Sequence, residues 1–214
     1  MTLRRILPFL RSHLTATGFL VLLTAAEISY SALSGHDQQA VRDWVSTNVS
    51  NLRMHPVGAL AGSAFIAAES PLAWPLLAGL GLIGADSLLG WRRSLLLVVT
   101  AHVLGTLVSE GIVAWQVAHG VLGRGALNQD DVGPSYIVAC ALTLALLYGW
   151  TRDAPAWVRI ARPGAGLIGL LALREDLVDG LSHFEVAAVG HTVSMLTAAV
   201  LGGALLRGRR ANGP

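Results

Sequence analysis

The segment around Ser135 contains the residue types that nucleophilic catalysis needs. Ser135 follows Gly133 and Pro134, and proline favours the first turn of a helix. The amides of a first turn have no acceptor within the helix, so the N–H groups of Ser135 and Tyr136 are placed to face a developing oxyanion. Gly133 permits close approach of the backbone. The sequence therefore predicts a serine beside backbone hydrogen-bond donors.

A serine becomes a nucleophile when a nearby base accepts its proton, and histidine is the usual base. His191 lies near the start of another apolar segment, at the same predicted depth as Ser135. Ser194, Ala198 and Gly202 follow it at helical spacing, and such a stripe of small residues lets a partner helix approach closely. The pattern predicts a Ser135–His191 dyad. A helix cap at Ser135 and ordinary small-residue packing at His191 explain the same residues without catalysis.

The composition indicates what kind of chain positions these residues. Of the 214 residues, 53% are hydrophobic and 13% are charged. Soluble proteins carry about a quarter charged residues, so the chain is predicted to be an integral membrane protein. Its fifteen basic residues are all arginines and are spread in ones and twos, which argues against a nucleic-acid partner. The partner expected from this composition is membrane lipid.

Apolar segments set the predicted fold class, since the hydrocarbon core of a bilayer requires about 20 residues per helix. Six segments qualify or nearly qualify: 14–33, 71–88, 94–117, 133–150, 156–174 and 186–206. We therefore predict an all-α fold, a single polytopic domain over 1–214 with a six-helix bundle and a basic tail at 207–214. The segment 34–70 is too long for a helical hairpin. Its apolar stretch from His55 predicts an interfacial helix within an external loop.

The arginines predict the orientation, because short cytoplasmic loops retain positive charge. With a cytoplasmic N-terminus, eleven of the fifteen arginines fall inside, and the exceptions are Arg42, Arg53, Arg124 and Arg174. Both termini are then cytoplasmic, and we expect the chain in a bacterial plasma membrane. In the alternative interpretation, the first segment is a signal peptide cleaved near Ser31, which leaves five spans.

Ionisable residues at membrane depth are costly, so those present are paired or functional. His102, Thr106 and Glu110 share one helix face, a pattern typical of an interhelical hydrogen-bond network and also of a polar path in a transporter. Glu110 and Ser109 lie at the depth of Ser135 and are predicted to line its cavity. The helical rise of 1.5 Å per residue places His102 about 12 Å deeper, outside that site.

Two other carboxylates have predicted partners. Glu27 is a candidate partner for the polar face of the third segment, and Asp86 is expected to form an ion pair with Arg92 or Arg93. An acidic cluster between the fifth and sixth segments has the density of a solvated loop and lacks the HExxH pattern of a membrane metalloprotease. No metal site and no cofactor are predicted.

Taken in order along most of the chain, these features resemble the rhomboid family of intramembrane serine proteases. The motifs that carry the resemblance are Asn51-Leu52, His55-Pro56, Ser63-Ala64-Phe65, Gly84 with Asp86, Gly90-Trp91-Arg92-Arg93, Gly133-Pro134-Ser135 and Gly190-His191. The resemblance implies that Ser135 is the nucleophile and His191 the general base. It also implies transmembrane protein substrates cleaved near their external end.

The chain departs from the family pattern at three places. Tyr136 replaces the second glycine of the Gly-x-Ser-Gly motif, and Ala139 stands where an aromatic residue usually packs on the histidine. The histidine and asparagine of the second helix, which help to stabilise the oxyanion, have no counterpart in 70–76. Loss of an oxyanion donor costs about 3 kcal/mol of transition-state stabilisation. The resemblance therefore allows two interpretations, a divergent protease and a catalytically inactive scaffold that binds transmembrane partners.

The predicted topology has a direct test in reporter fusions. An even number of spans leaves the C-terminus inside, so alkaline phosphatase fused after Arg210 should be inactive and a fluorescent protein at the same point should be bright. Fusion after Gln129, in a predicted external loop, should give the reverse pattern. Active phosphatase after Arg210 would contradict the six-span arrangement.

Overall fold

The computed structural model describes residues 3–67, 73–151 and 154–211, and these residues form helices and their connections. The α-helices are α1 Leu3–Ser12, α2 Leu14–Ser31, α3 Gly35–Val45, α4 Val49–Met54, α5 Pro56–Ser63, α6 Ala73–Leu89, α7 Trp91–Ala118, α8 Ser135–Tyr148, α9 Ala156–Ala172, α10 Arg174–Val178, α11 Val186–Thr197 and α12 Gly203–Ala211. Short 3-10 turns occupy Arg124–Asn128 and Leu181–His183, and a π-helical turn at Ala198–Gly202 joins α11 to α12.

The six predicted apolar segments correspond to α2, α6, α7, α8, α9 and the continuous α11–α12 helix. Three helices in the described part of the chain are long and apolar enough to cross a membrane alone: Leu14–Ser31, Trp91–Ala118 and Val186–Arg209. Helices α6 and α8 are apolar but shorter. The all-α membrane class is confirmed, whereas the count of six spans stays a prediction.

Helix α8 lies at the centre of the bundle. Its residues from Tyr136 to Ala145 are all buried, and it packs against α6, α7, α9 and α11. Glycines allow this close packing. A Cβ atom at Gly81 of α6 would lie 3.0 Å from the Cβ of Ala141, and one at Gly166 of α9 would lie 2.6 Å from the carbonyl oxygen of Leu142.

Asp86 joins α6 to the first turn of α2. Its carboxylate accepts a hydrogen bond of 3.0 Å from the backbone N–H of Ala16, an amide without an acceptor inside its own helix. The predicted ion pair with Arg92 or Arg93 is therefore wrong: no such pair occurs among the described residues. The buried amide at the helix start competes successfully for the carboxylate because it has no other acceptor.

The segment predicted to be external, described here over 34–67 and called the external segment below, contains α3, α4 and α5, and the helix predicted from His55 onward is α5. Side chains cap the first two helices, since Ser34 accepts a hydrogen bond from the Asp37 amide and Asn48 accepts one from the Asn51 amide. The far end of the segment is held by Glu27 of α2, which accepts a hydrogen bond of 2.5 Å from the Ala67 amide. Glu27 thus pairs with the external segment instead of with the polar face of α7.

Two glycines of α9 provide a matched test of the central packing. Gly166→Ala should lower the free energy of unfolding by about 2 kcal/mol, because the new Cβ meets backbone atoms of α8 that cannot move aside. Gly164 has no atom within 4 Å of a built Cβ. Gly164→Ala should therefore raise stability by up to about 1 kcal/mol through helix propensity. Thermal unfolding in detergent, followed by circular dichroism, measures both; equal effects would refute the packing argument.

Candidate active site

Ser135 is the first residue of α8, as the sequence predicts. The Val138 amide donates to the Pro134 carbonyl at 3.0 Å, so the amides of Ser135 and Tyr136 precede the first hydrogen bond of the helix. Gly133 has a φ of +140°, a conformation that favours glycine. A Cβ built on Gly133 would lie 3.9 Å from the Ser135 Oγ, so this hydroxyl lies beside Gly133.

The backbone of Gly133 has a structural partner. Its N–H donates to the Ser63 carbonyl at 2.9 Å, which fastens the loop before α8 to the end of α5. Of the three backbone groups singled out from the sequence, the amides of Ser135 and Tyr136 are therefore the ones left to face an oxyanion. Gly133 contributes the turn that brings them there.

His191 lies in the first half of α11 and is 2% exposed. The ring of Tyr136 meets the His191 ring edge-on, with centroids 5.2 Å apart and planes at 81°. Gly190 makes this contact possible, because a Cβ there would collide with the tyrosine ring. Gly105 of α7 leaves room on the other side, where a Cβ would lie 3.2 Å from Tyr136 Cδ2.

Tyr136 thus appears in a role that the sequence did not suggest. The position after the serine is a departure from the family motif, and the aromatic residue expected at 139 is alanine. In the structure the ring of Tyr136 itself packs on His191. The sequence feature that could have indicated this contact is the pair Gly105 and Gly190. These glycines lie on neighbouring helices and leave room for the tyrosine ring at position 136.

Asp131 connects Tyr136 to the external segment. The tyrosine hydroxyl donates to the Asp131 carboxylate at 3.2 Å, and the Thr47 hydroxyl donates to the same carboxylate at 2.9 Å. The backbone adds two bonds, from the Asp131 amide to Ser46 Oγ at 2.8 Å and from the Thr47 amide to the Asp131 carbonyl at 2.9 Å. Burial raises the pKa of Asp131, while the hydrogen bonds from Thr47 and Tyr136 lower it by a smaller amount.

Glu110 and Ser109 of α7 are within electrostatic range of the Tyr136 hydroxyl. The Ser109 hydroxyl donates to the Gly105 carbonyl at 2.9 Å. Glu110 is 3% exposed and interacts electrostatically with the Val49 backbone amide. Its Oε2 atom has no hydrogen-bond partner among the described residues. Glu110 and Ser109 therefore lie near Tyr136, the neighbour of Ser135. That they line a substrate cavity stays a prediction.

His102 lies closer to this group than its depth along α7 suggests. Its ring centroid is 6.1 Å from that of Tyr136, and its Nε2 lies 2.9 Å from the Leu60 carbonyl oxygen. The contact with Tyr136 was not predicted, because the helical rise measures distances between backbones and ignores the reach of the tyrosine and histidine rings; that His102 lies outside the Ser135–His191 site stays a prediction. Within the described ranges, no three histidine, cysteine or acidic side chains are grouped to bind a metal.

The raised pKa of Asp131 predicts how stability depends on pH. A carboxyl group with a raised pKa in the folded state stabilises the fold fully at low pH, and this contribution is lost as the pH rises through that pKa. We expect the unfolding midpoint of the parent to rise as the buffer is changed from about pH 8 to about pH 4, more than that of Asp131→Asn. Asp130→Asn, at the exposed neighbour, is the control. Identical pH profiles for the parent and Asp131→Asn would contradict this assignment.

Comparison with known proteins bears on the whole chain. A search of curated proteins and of solved structures finds no match. A family model described as rhomboid-like protein matches residues 9–208, which contain α2 to α11, most of α12, and Ser135, Tyr136 and His191. The chain therefore belongs to the rhomboid-like protein family.

Proposed function

We propose that this protein is a rhomboid-type intramembrane serine protease, with Ser135 as nucleophile and His191 as general base. The observation that carries the proposal is the edge-on contact between Tyr136 and His191. Because Tyr136 directly follows Ser135, this contact holds the first turn of α8 at the level of the histidine. The family membership supports the same assignment.

In the proposed reaction, a ring nitrogen of His191 accepts the Ser135 hydroxyl proton while Oγ attacks the scissile carbonyl carbon. The carbonyl electron pair moves to its oxygen and forms an oxyanion. Collapse of this intermediate breaks the C–N bond, and the leaving amine takes the proton from His191. Water, deprotonated by His191, then attacks the acyl ester and releases the carboxylic acid and the free Ser135 hydroxyl.

We assign stabilisation of the oxyanion to the backbone amides of Ser135 and Tyr136, which lie at the positive end of the α8 dipole. The side-chain donors that other rhomboids carry on the second helix have no counterpart in 73–76, and residues 70–72 lie outside the described part. With fewer donors, the protease is expected to be slow. Loss of one donor corresponds to a rate lower by about a hundredfold or more.

The proposed substrates are transmembrane proteins, cleaved near the external face. The chain is assigned six spans in a bacterial plasma membrane, with both termini in the cytoplasm. In this arrangement α8 and α11 run in the same direction, so Ser135 and His191, each close to a helix start, reach the same depth.

A second candidate function is a catalytically inactive rhomboid-like scaffold that binds transmembrane partners. The observation that favours it is the enclosure of Tyr136 between Gly105 and Gly190. A large ring fills the place where the family motif has glycine, and its hydroxyl is engaged by Asp131. In this case the same contacts stabilise the bundle without chemistry.

Labelling with a serine-reactive fluorophosphonate separates the two functions. The parent should be labelled, and Ser135→Ala and His191→Ala should each reduce labelling and cleavage of a model transmembrane substrate by at least about a thousandfold. Ser182→Ala is the matched control, since the Ser182 hydroxyl also lies beside a histidine, 3.1 Å from His183 Nδ1, but in an exposed loop. Absence of labelling in a folded parent would favour the scaffold.

A further inference from the structure

One end of the helical bundle carries an excess of positive charge. Helices α6 and α8 end there, at Leu89 and Tyr148, and α9 begins there, at Ala156. In the described part of the chain, the acidic residue at this end is Asp86, and its carboxylate is bound to the Ala16 amide. The arginines near these helix ends include Arg11, Arg92, Arg93, Arg159, Arg162, Arg207 and Arg209. They therefore have little opposite charge within the protein.

Arg209 of α12 is fixed at the end of α6. Its guanidinium donates to the carbonyl oxygens of Ser87 and Leu88 in the last turn of that helix. Carbonyls in a last turn have no amide partner within the helix, so the arginine supplies the missing donor. Both bonds come from Nη1. The Nε and Nη2 groups of Arg209 donate to no atom of the described residues and face outward with the exposed side chain.

Arg162 of α9 lies beside the end of α8. A Cβ built on Gly149, the residue that follows α8, would lie 2.9 Å from the Cβ of Arg162. The Arg162 guanidinium is within electrostatic range of that of Arg209. Among the described residues it donates no hydrogen bond and forms no ion pair with a carboxylate. Two like charges are thus held near each other, and the half-buried Arg162 keeps all its donors available.

The helix ends neutralise only part of this charge. The carboxyl end of a helix carries about half a negative elementary charge, so α6 and α8 together supply about one. The guanidinium groups of Arg162 and Arg209 carry one positive charge each, because arginine stays protonated in proteins. A surplus of about one positive charge remains between them. An anion with a single negative charge would balance it.

The surroundings of this pair are those of the membrane interface. Trp150 and Trp157, on the two sides of the connection from α8 to α9, are 60% and 72% exposed. Exposed tryptophans at helix ends are typical of the level of the lipid headgroups. Leu147 and Ile160, close by on the same two helices, are also exposed and offer an apolar surface to hydrocarbon chains. A phospholipid meets both the charge and the apolar surface, whereas a soluble anion meets only the charge.

We propose that Arg162 and Arg209 bind the phosphate group of one anionic phospholipid of single negative charge, such as phosphatidylglycerol. The planar guanidinium of Arg162 pairs with two phosphate oxygens, and Arg209 adds a donor from Nη2. Basic sites between transmembrane helices recognise lipid headgroups by this chemistry. A zwitterionic headgroup brings its own ammonium group and leaves the surplus charge in place. The bound lipid links the ends of α6, α8, α9 and α12.

Arg162→Gln removes one guanidinium from the site and spares the contacts of α6. Because Arg162 makes no hydrogen bond or ion pair within the described residues, this variant should keep the unfolding midpoint of the parent in detergent without added lipid. Arg159→Gln is the matched control, since Arg159 lies about one turn earlier in α9, is exposed and carries the same charge. Arg209 stays unchanged because its bonds to α6 also stabilise the fold.

The test uses the full chain in detergent micelles and native mass spectrometry, with phosphatidylglycerol and phosphatidylcholine of identical acyl chains. The parent should bind phosphatidylglycerol with a Kd at least about tenfold lower than that for phosphatidylcholine. Arg162→Gln should weaken phosphatidylglycerol binding by about tenfold, the loss expected for charge-assisted hydrogen bonds, and leave phosphatidylcholine binding unchanged. Arg159→Gln should alter either affinity by less than about twofold.

Two further arms identify the source of the negative charge. Inorganic phosphate at millimolar concentration should not displace phosphatidylglycerol, because it lacks hydrocarbon chains to cover the apolar surface. Asp153 lies outside the described residues and is tested with Asp153→Asn. This variant should bind phosphatidylglycerol within about twofold of the parent.

Four results would overturn the proposal. They are equal affinity of the parent for the two lipids, equal losses in Arg162→Gln and Arg159→Gln, displacement of the lipid by inorganic phosphate, and binding about tenfold tighter in Asp153→Asn, which would identify Asp153 as the counter-charge. If Arg162→Gln does not fold, Arg162→Lys decides the question. An ammonium group cannot pair with two oxygens, so phosphatidylglycerol binding should fall about threefold, and unchanged binding would overturn the proposal.

Discussion

The hydrogen bonds of Asp131 hold the external segment against the start of α8, and the geometry of the candidate site depends on them. Backbone polar groups at membrane depth must find partners within the protein. Asp131 forms hydrogen bonds with Ser46 and Thr47 on one side and with the Tyr136 hydroxyl on the other. Through Tyr136 this cluster reaches the ring of His191. One acidic residue therefore links a surface loop, the first turn of α8 and the proposed general base.

Much of the fold is predictable because membrane insertion imposes a simple rule on length and polarity. The segment predicted at 133–150 is α8 at Ser135–Tyr148, with its start determined by Pro134. The position of the external segment could not be predicted in this way. Its position depends on bonds such as Thr47 to Asp131 and Ala67 to Glu27, which join residues 84 and 40 positions apart. Local sequence patterns carry no information on such pairs.

The candidate site was also predictable only in part. Ser135 and His191 could be proposed from the sequence because each stands near the start of an apolar helix, and depth follows from the helical rise. Asp131 was missed because it lies in a loop, and the depth of a loop residue cannot be calculated from the helical rise. The contact between His102 and Tyr136 was missed for a related reason, since the distance between rings depends on side-chain reach across the bundle. The contact of Tyr136 with Gly190 likewise becomes visible only when both helices are in place.

The enclosure of α8 has a consequence for how the chain is made. In this helix of 14 residues, about 21 Å long, the ten from Tyr136 to Ala145 are all buried against protein in the finished fold. Their apolar composition is therefore not needed for contact with lipid. In the predicted six-span arrangement it is needed earlier, when α8 leaves the translocon and must partition into the bilayer before α9 and α11 have been synthesised. The hydrophobicity of α8 suits this transient lipid environment, and the sizes of its side chains suit the protein environment that replaces it.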